Sequence, residues 1–186
     1  MRKILVDLGH SKRYPGAVGI RSEVEWNRAI WKELKPLINQ KKLAVLEVPT
    51  DYLTDWSSNR QLVNRINWIN KNSAVSDVVL SIHGNAATNP KARGVTTCYM
   101  GGSESARLEA VKLSQAYAKA TGIPVWNGGA FDDRNARFSR IGIVRDTKPL
   151  ALLIEAGFVT NALDMKVEAK KAAAGIANYL NAAYGA

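Results

Sequence analysis

His10, His83 and Glu155 each stand at the end of a short apolar stretch of the chain, and the two histidines are the only ones in 186 residues. Neutral imidazoles combined with a carboxylate are common ligands of catalytic zinc, which keeps a further position for water. The sequence therefore favours a Zn²⁺ site with hydrolytic chemistry, provided that the fold brings the three stretches to one edge. Alternatively, each histidine only hydrogen-bonds a backbone carbonyl at a strand end, and no compact His-Glu-x-x-His motif is present.

A second carboxylate is expected from the segment that follows His10. Glu23 and Glu25 open the first predicted helix, and the loop from Ser11 to Ser22 contains the Gly and Pro residues needed to turn back. Either acid could then reach the histidine. Alternatively, both acids only complement the helix dipole, with Ser22 and Glu25 forming a capping box. That alternative explains Glu25 better than Glu23.

The apolar pattern alternates short strands with amphipathic helices. Strands are predicted at 4–8, 43–48, 77–82, 94–100, 141–144 and 150–154, and helices at 24–35, 59–71, 103–120 and 163–183. This alternation indicates an α/β fold, a three-layer αβα domain with a largely parallel (mixed) central sheet of about six strands and helices on both faces. In such sheets ligands bind outside the carboxyl ends of the strands. The segment 126–140 is predicted to be a loop, either flanking the groove or an ordinary surface loop.

The composition describes one globular domain over residues 1–186, with 46% hydrophobic and 23% charged residues. No apolar run approaches the roughly 20 residues of a membrane span, so no membrane insertion is expected. The single Cys98 cannot form an internal disulfide and is predicted to be a small buried side chain. Lys and Arg number 26 against 16 acids, and the net charge of +10 indicates an anionic partner.

Several stretches of the sequence resemble a known family, the zinc-dependent N-acetylmuramoyl-L-alanine amidases of the type-3 family. The similar stretches are Ile4 to His10, Pro15 to Gly19, Glu23 with Asn27 four positions on, Ser81 to Ala86, and Ile154 to Asn161. They follow one another in the order of the family's motifs and span nearly the whole chain. Together they are far more specific than any one of them.

The resemblance implies roles for individual residues. His10, Glu23 and His83 would bind one Zn²⁺ ion per chain, and Glu155 would be the catalytic carboxylate. Arg145 and Asn85 become candidate substrate-binding residues, with Arg145 holding a substrate carboxylate in a bidentate pair.

An alternative applies to Arg145 alone. The same side chain could instead form a surface ion pair with Asp146 or Asp164. Asn161 is expected to cap the last helix.

The resemblance also implies an activity, the hydrolysis of the amide between N-acetylmuramic acid and L-alanine in peptidoglycan. We expect an endolysin-like monomer without a separate cell-wall-binding domain. Because no signal peptide is recognised at the N-terminus, we expect synthesis in the cytoplasm and action on the cell wall after release. The positive charge would hold the protein near peptidoglycan or other anionic envelope polymers.

Two alternatives to the amidase stay open. One is a zinc peptidase that cuts within the stem peptide. The other is a metal-free basic α/β binding module, for example for nucleic acid. Against the second, the sequence has no aromatic stacking platform, no helix-turn-helix motif and no Gly-rich phosphate loop, so no nucleic-acid partner is expected.

Overall fold

The computed structural model describes residues 1–51, 58–136 and 140–185. In these residues it has six strands: β1 (Arg2–Leu8), β2 (Leu43–Glu47), β3 (Val78–Asn85), β4 (Val95–Tyr99), β5 (Val125–Asp132) and β6 (Leu150–Phe158). The α-helices are α1 (Glu23–Leu34), α2 (Ser58–Asn72), α3 (Glu104–Thr121), α4 (Gly142–Arg145) and α5 (Ala169–Tyr184). Short 3-10 helices lie at Lys35–Leu37, Asp133–Asn135 and Asp164–Lys166.

The six strands form one mixed sheet in the order β2-β1-β3-β6-β4-β5. All neighbouring strands are parallel except β4 and β6, which pair antiparallel. The helices α1, α3 and α5 pack against one face of the sheet, where Trp26, Leu113 and Ile176 are fully buried. The helices α2 and α4 cover the opposite face through Ile69 and Ile143. The predicted three-layer αβα fold is therefore confirmed.

The strand register brings three strand ends to one edge of the sheet. In the parallel pair β1 and β3, Leu8 lies opposite Ile82. In the parallel pair β3 and β6, His83 lies opposite Glu155. The antiparallel strand β4 places Thr96 on the other side of Glu155. His10, which follows β1, therefore meets His83 and Glu155 at this edge, and these two residues lie within the last part of β3 and the middle of β6.

Two local predictions are wrong. The segment 141–144 was expected as a strand and instead forms α4, because a run of four apolar residues carries too little periodicity to separate a strand from a buried helical turn. The expected loop at 126–140 begins with strand β5. Its Asn127, Gly128 and Gly129 all have positive φ, and the pairing of β5 with β4 shifts register there, so the local sequence hides a strand formed by sheet contacts.

The last helix starts later than predicted. Residues Asp164–Lys166 form a 3-10 turn, and α5 begins only at Ala169. Asn161 caps that turn rather than α5, because its Oδ1 accepts hydrogen bonds from the backbone N–H groups of Leu163 and Asp164. Among the described ranges, no helix is both long and apolar enough to cross a bilayer.

Candidate metal centre

His10, Glu23 and His83 converge at the edge formed by β1 and β3. Glu23 Oε1 lies 3.0 Å from His10 Nε2 and 2.9 Å from His83 Nδ1. One ligand atom from each of the three residues lies within 4.8 Å of the other two. The two imidazole rings meet edge to face with centroids 4.9 Å apart. The structure thus brings together the three residues that the sequence selected as metal ligands.

The loop between β1 and α1 turns Glu23 towards the histidines. Backbone hydrogen bonds from Glu23 N to Ala17 O and from Val24 N to Pro15 O hold the start of α1 against the loop. Gly16 has φ of +75°, and a Cβ at this position would lie 2.5 Å from both Glu23 Oε2 and the His10 ring. Only glycine combines this backbone conformation with so close an approach.

The residue before His10 is also restricted by the site. A Cβ on Gly9 would lie 2.3 Å from the His83 ring, so the absence of a side chain gives that ring its space. His10 itself adopts a left-handed conformation with φ of 65°. Asn27 Nδ2 donates a 3.0 Å hydrogen bond to the Gly9 carbonyl and ties this bend to α1. The position of Asn27 four residues after Glu23, noted in the sequence, therefore has a structural basis.

The carboxylate of Glu23 is surrounded by donors. Its Oε1 also accepts a 3.3 Å hydrogen bond from Gly84 N, and its Oε2 accepts a 3.0 Å hydrogen bond from Ala17 N. Burial by itself would raise the pKa of Glu23, but the bonds and charges of His10 and His83 outweigh it and lower the pKa far below its usual value. Glu23 is therefore ionised at neutral pH, as a metal ligand must be.

Glu25 does not share this position. It is exposed on the first turn of α1, whereas Glu23 is buried. Ser22 is the N-cap of α1, but its side chain makes no capping hydrogen bond to the described residues, so the predicted capping box is wrong. Of the two acids that open this helix, the structure therefore places only Glu23 against the histidines.

The donor set fits a zinc ion. Two imidazole nitrogens and one carboxylate oxygen form a common three-residue zinc site that leaves a position for water. Beside them, Glu155 Oε2 is buried and has no hydrogen-bond partner among the described residues. A buried carboxylate oxygen without a partner costs folding free energy, which a bound water or substrate atom would recover by donating a hydrogen bond.

Glu155 is held rigidly on β6. The carbonyl of the next residue, Ala156, accepts a 2.9 Å hydrogen bond from Trp26 Nε1 and a 3.0 Å hydrogen bond from Tyr117 OH. Burial raises the pKa of Glu155 to about 7, although the neighbouring His83 acts in the opposite direction. A carboxyl group with this pKa exchanges protons near neutral pH, which suits acid–base chemistry.

Asn85 lies beside Glu155 rather than beside the histidines. Both residues line a cavity of about 430 Å³, together with the aromatic side chains of Trp126 and Phe131. Asn85 Oδ1 accepts a 2.8 Å hydrogen bond from Ala86 N. Cys98 is buried in the wall of the same cavity, as predicted for a small apolar side chain.

Arg145 is engaged by a partner that the sequence did not indicate. Its guanidinium forms a bidentate pair with the fully buried Asp133, with Nε 2.7 Å from Oδ2 and a second bond from Nη2 to Oδ1. The expected ion pair with Asp146 or Asp164 is therefore wrong. Those two acids pair instead with Arg140 and Arg93.

A buried polar network below the histidines was missed in the sequence. Arg65 Nη1 donates to Asp7 Oδ1 at 2.9 Å and to Oδ2 at 3.1 Å, and Ser81 Oγ donates to Asp7 Oδ2 at 2.6 Å. All three residues are buried. A signal was present, since an aspartate inside the apolar strand β1 needs a buried partner. The network links β1, β3 and α2 directly below His10 and His83.

Comparisons with known proteins identify the family of this chain. Residues 4–182 match the family model described as N-acetylmuramoyl-L-alanine amidase. A comparison with curated protein sequences gives no match.

Three solved structures share the fold over nearly all of their length. The catalytic domain of CwlV, an N-acetylmuramoyl-L-alanine amidase from Bacillus (Paenibacillus) polymyxa, is 24% identical, with a TM-score of 0.76 over 98% of this chain and 97% of that one. An N-acetylmuramoyl-L-alanine amidase from Clostridium difficile 630 is 24% identical, with a TM-score of 0.74 over 97% and 95%. The catalytic domain of an endolysin targeting Clostridia difficile is 24% identical, with a TM-score of 0.75 over 97% and 94%.

At these identities the solved structures establish the fold, and the family model, which covers almost the whole chain, establishes the relationship. The expectation drawn from the motifs is thereby confirmed at the level of the family. This chain belongs to the Amidase_3 family of N-acetylmuramoyl-L-alanine amidases.

Proposed function

We propose that this protein hydrolyses the amide bond between N-acetylmuramic acid and L-alanine in peptidoglycan, and that it needs zinc to do so. The observation that supports this most strongly is the meeting of His10, Glu23 and His83 near Glu155, whose buried Oε2 has no hydrogen-bond partner among the described residues. Membership of the amidase family indicates which amide is cut. The geometry of the four side chains indicates how.

His10, Glu23 and His83 are the residues that would hold the zinc ion. When bound, zinc polarises the scissile carbonyl and lowers the pKa of water. Before any ion binds, the hydrogen bonds from both histidines keep the pKa of Glu23 low, so its negative charge is already present at neutral pH when an ion enters. The surrounding bonds from Ala17 and Gly84 fix the direction of its carboxylate.

Glu155 would carry the proton. Its carboxylate accepts a proton from the attacking water, whose oxygen forms a bond to the carbonyl carbon. Glu155 then donates that proton to the nitrogen of L-alanine as the C–N bond breaks. The products are the lactyl carboxylate of the sugar and a free α-amine on alanine. A pKa of about 7 suits both halves of this transfer.

Asn85 and Arg145 are proposed as substrate contacts. Asn85 shares the cavity of Glu155, so its side chain lies within reach of a substrate bound there. The Arg145 side chain is 28% exposed in spite of its pair with Asp133, and it can offer its accessible edge to a carboxylate.

The domain organisation, oligomeric state and site of action are proposed from the net charge and from a solved structure with the same fold. We propose that residues 1–186 act as one catalytic domain and as a monomer, in the manner of an endolysin, since an endolysin catalytic domain shares this fold. The net charge of +10 would hold the protein near peptidoglycan and other anionic envelope polymers. Binding of this kind weakens as ionic strength rises.

Digestion of purified peptidoglycan tests the proposal. Wild-type protein is incubated with the polymer, with chelator, and with chelator followed by zinc, and newly freed amino termini are labelled. We expect new N-terminal alanine only when metal is present, without new reducing sugar ends. New termini from another stem residue would identify a peptidase instead. Absence of metal-dependent products on several peptidoglycan types would refute the enzyme.

A further inference from the structure

A second cavity lies against both histidines. It has a volume of about 240 Å³, and its wall includes His10, His83, Arg65 and Gln61. Ile141 lines both this cavity and the one that contains Glu155. A substrate held at the histidines would therefore have two neighbouring spaces to enter, one lined by Glu155 and the other by Gln61 and Arg65.

The wall of the second cavity contains hydrogen-bond donors that are not used. Gln61 is 3% exposed, and its Nε2 has no hydrogen-bond partner within the described part of the chain. Arg65 is 8% exposed and gives both of its hydrogen bonds to Asp7 from Nη1, while its Nε lacks an acceptor among the same residues. Buried donors without acceptors cost folding free energy, so two of them side by side call for an external acceptor.

The charges of the cavity indicate which acceptor fits. Asp7 balances the charge of Arg65, and Asp7 is itself held by Ser81. The donors therefore present N–H groups without a net positive charge. Such a site suits a neutral amide carbonyl better than a free carboxylate, since an anion would also face the Asp7 carboxylate.

We propose that this cavity is a substrate subsite in which Gln61 and Arg65 donate hydrogen bonds to an amide carbonyl oxygen. The proposal rests on the proposed function. The substrate offers amide carbonyls in two places, the N-acetyl group of the muramic acid and the peptide groups of the stem. Asp7 and Ser81 act as positioning residues that keep the Arg65 guanidinium at the wall.

The Gln61→Met variant tests the subsite. Methionine has nearly the shape of glutamine but no N–H donor, and no described residue loses a hydrogen bond. Val63→Met on the same helix is the matched control, because Val63 is 52% exposed. Both are made in a Glu155→Gln background, in which turnover of a soluble N-acetylmuramoyl-peptide is slowed about 10²- to 10⁴-fold. Calorimetry then measures the Kd of that fragment for the zinc-loaded protein.

We expect Gln61→Met to raise the Kd about tenfold, the size of one lost hydrogen bond to a buried acceptor, and Val63→Met to leave it unchanged. The melting temperature of Gln61→Met should equal or exceed that of its parent, because a buried unpaired amide is removed. An unchanged Kd would overturn the subsite. Arg65→Lys, which retains a charge opposite Asp7, should also weaken binding while zinc content stays constant, and a Kd equal to the parent's would remove Arg65 from the proposal.

Two further fragments identify which carbonyl binds. One lacks the N-acetyl group and the other ends at L-alanine. The fragment without the bound carbonyl should bind weakly to the parent and show no further loss in Gln61→Met. If both fragments still lose tenfold in the variant, the carbonyl assignment is wrong. The binding measurement does not depend on catalysis. If the wild-type protein failed to cleave peptidoglycan but Gln61→Met still weakened binding of the fragment, the amidase activity would be refuted and the subsite would stand.

Discussion

On the β1 and α1 side of the candidate site, both carboxylate oxygens of Glu23 receive hydrogen bonds, from His10, His83, Ala17 and Gly84. On the β6 and β4 side, Glu155 Oε2 is buried without a partner in the described residues. Thr96 Oγ1 on the adjacent strand is also buried and lacks a hydrogen-bond partner among these residues. Two glutamates at the same edge of one sheet thus have opposite surroundings.

This contrast matches the two roles proposed for the glutamates, with Glu23 as a metal ligand and Glu155 as an acid–base group. The bonds to Glu23 lower its pKa and fix its orientation, as a ligand that must stay ionised requires. Burial without bonds raises the pKa of Glu155 to about 7 and leaves an oxygen for water or substrate. Each of the following predictions tests one side of the comparison, beginning with the largest expected effect.

The first prediction concerns Glu23, on the side of the site where both carboxylate oxygens accept hydrogen bonds (the saturated side). Glu23→Ala should lower zinc affinity by more than about 100-fold and abolish amide hydrolysis, because even the loss of an outer partner of a metal ligand costs about 10- to 100-fold. Glu25→Ala should retain zinc, since Glu25 is exposed. Zinc per chain is measured by elemental analysis after dialysis, with circular dichroism to confirm folding. Loss of zinc in Glu25→Ala alone would overturn the assignment.

The second prediction concerns Glu155, on the side of the site where a carboxylate oxygen has no partner in the described residues. Glu155→Gln should lower kcat by about 10² to 10⁴-fold, the usual contribution of a general acid–base group, while zinc content stays the same. Thr96→Val is the control, because it removes a neighbouring hydroxyl that also lacks a partner in the described chain. That variant should change kcat less than about threefold and be at least as stable as wild type. Equal losses in both variants would show a packing effect rather than proton transfer.

The third prediction tests how the saturated side is built. Gly16→Ala should weaken zinc binding about 10- to 100-fold, because the new methyl group would press on Glu23 and His10. Gly102→Ala is matched in backbone strain, with φ of +90°, but has no atom within 4 Å of its Cβ position. It should lose about 1 kcal/mol of stability and keep its zinc affinity. Equal zinc affinities in the two variants would contradict the role of the loop.

The smallest effect is on stability in the metal-free protein. The pKa of Glu155 is about 7 in the fold, above its usual value of 4.5, so folding favours the protonated form. Its contribution to stability is therefore full below pH 4.5 and is lost as the pH rises through about 7. Glu155→Gln should gain stability relative to wild type over this interval, on the order of 2 kcal/mol. Denaturation midpoints at pH 4, 6 and 8 measure this difference, and a constant difference would contradict it.

Much of the fold was predictable from local pattern. The positions of His10, His83 and Glu155 after apolar strands implied a common edge, because parallel strands in an α/β sheet end on the same side. Strand β5 was not predictable, since its glycines and Asn127 disfavour a strand, and its stability comes from pairing with β4 and from contact with α3, where Ser114 Oγ donates to the Gly129 carbonyl. The helix α4 was misassigned because four residues do not reveal a period.

The polar partners of the site were less accessible to sequence reasoning. Arg145 lies next to Asp146 in the chain, yet it pairs with Asp133, which lies 12 residues earlier. Asp7 and Arg65 are 58 residues apart and meet only because α2 packs on β1. Such pairs depend on distances between elements, which no local pattern contains.

Periodicity and residue type are local properties, and they were enough to predict the alternation of strands and helices, the histidines at the ends of apolar stretches and the motifs of the family. The choice between Glu23 and Glu25 required the folded chain, since both open the same helix and the loop through Gly16 determines its approach to the histidines. The fold also determines which polar atoms are left without partners. Hydrogen-bond satisfaction is a property of three-dimensional neighbours, and it is what distinguishes the ligand Glu23 from the reactive Glu155 in this proposal.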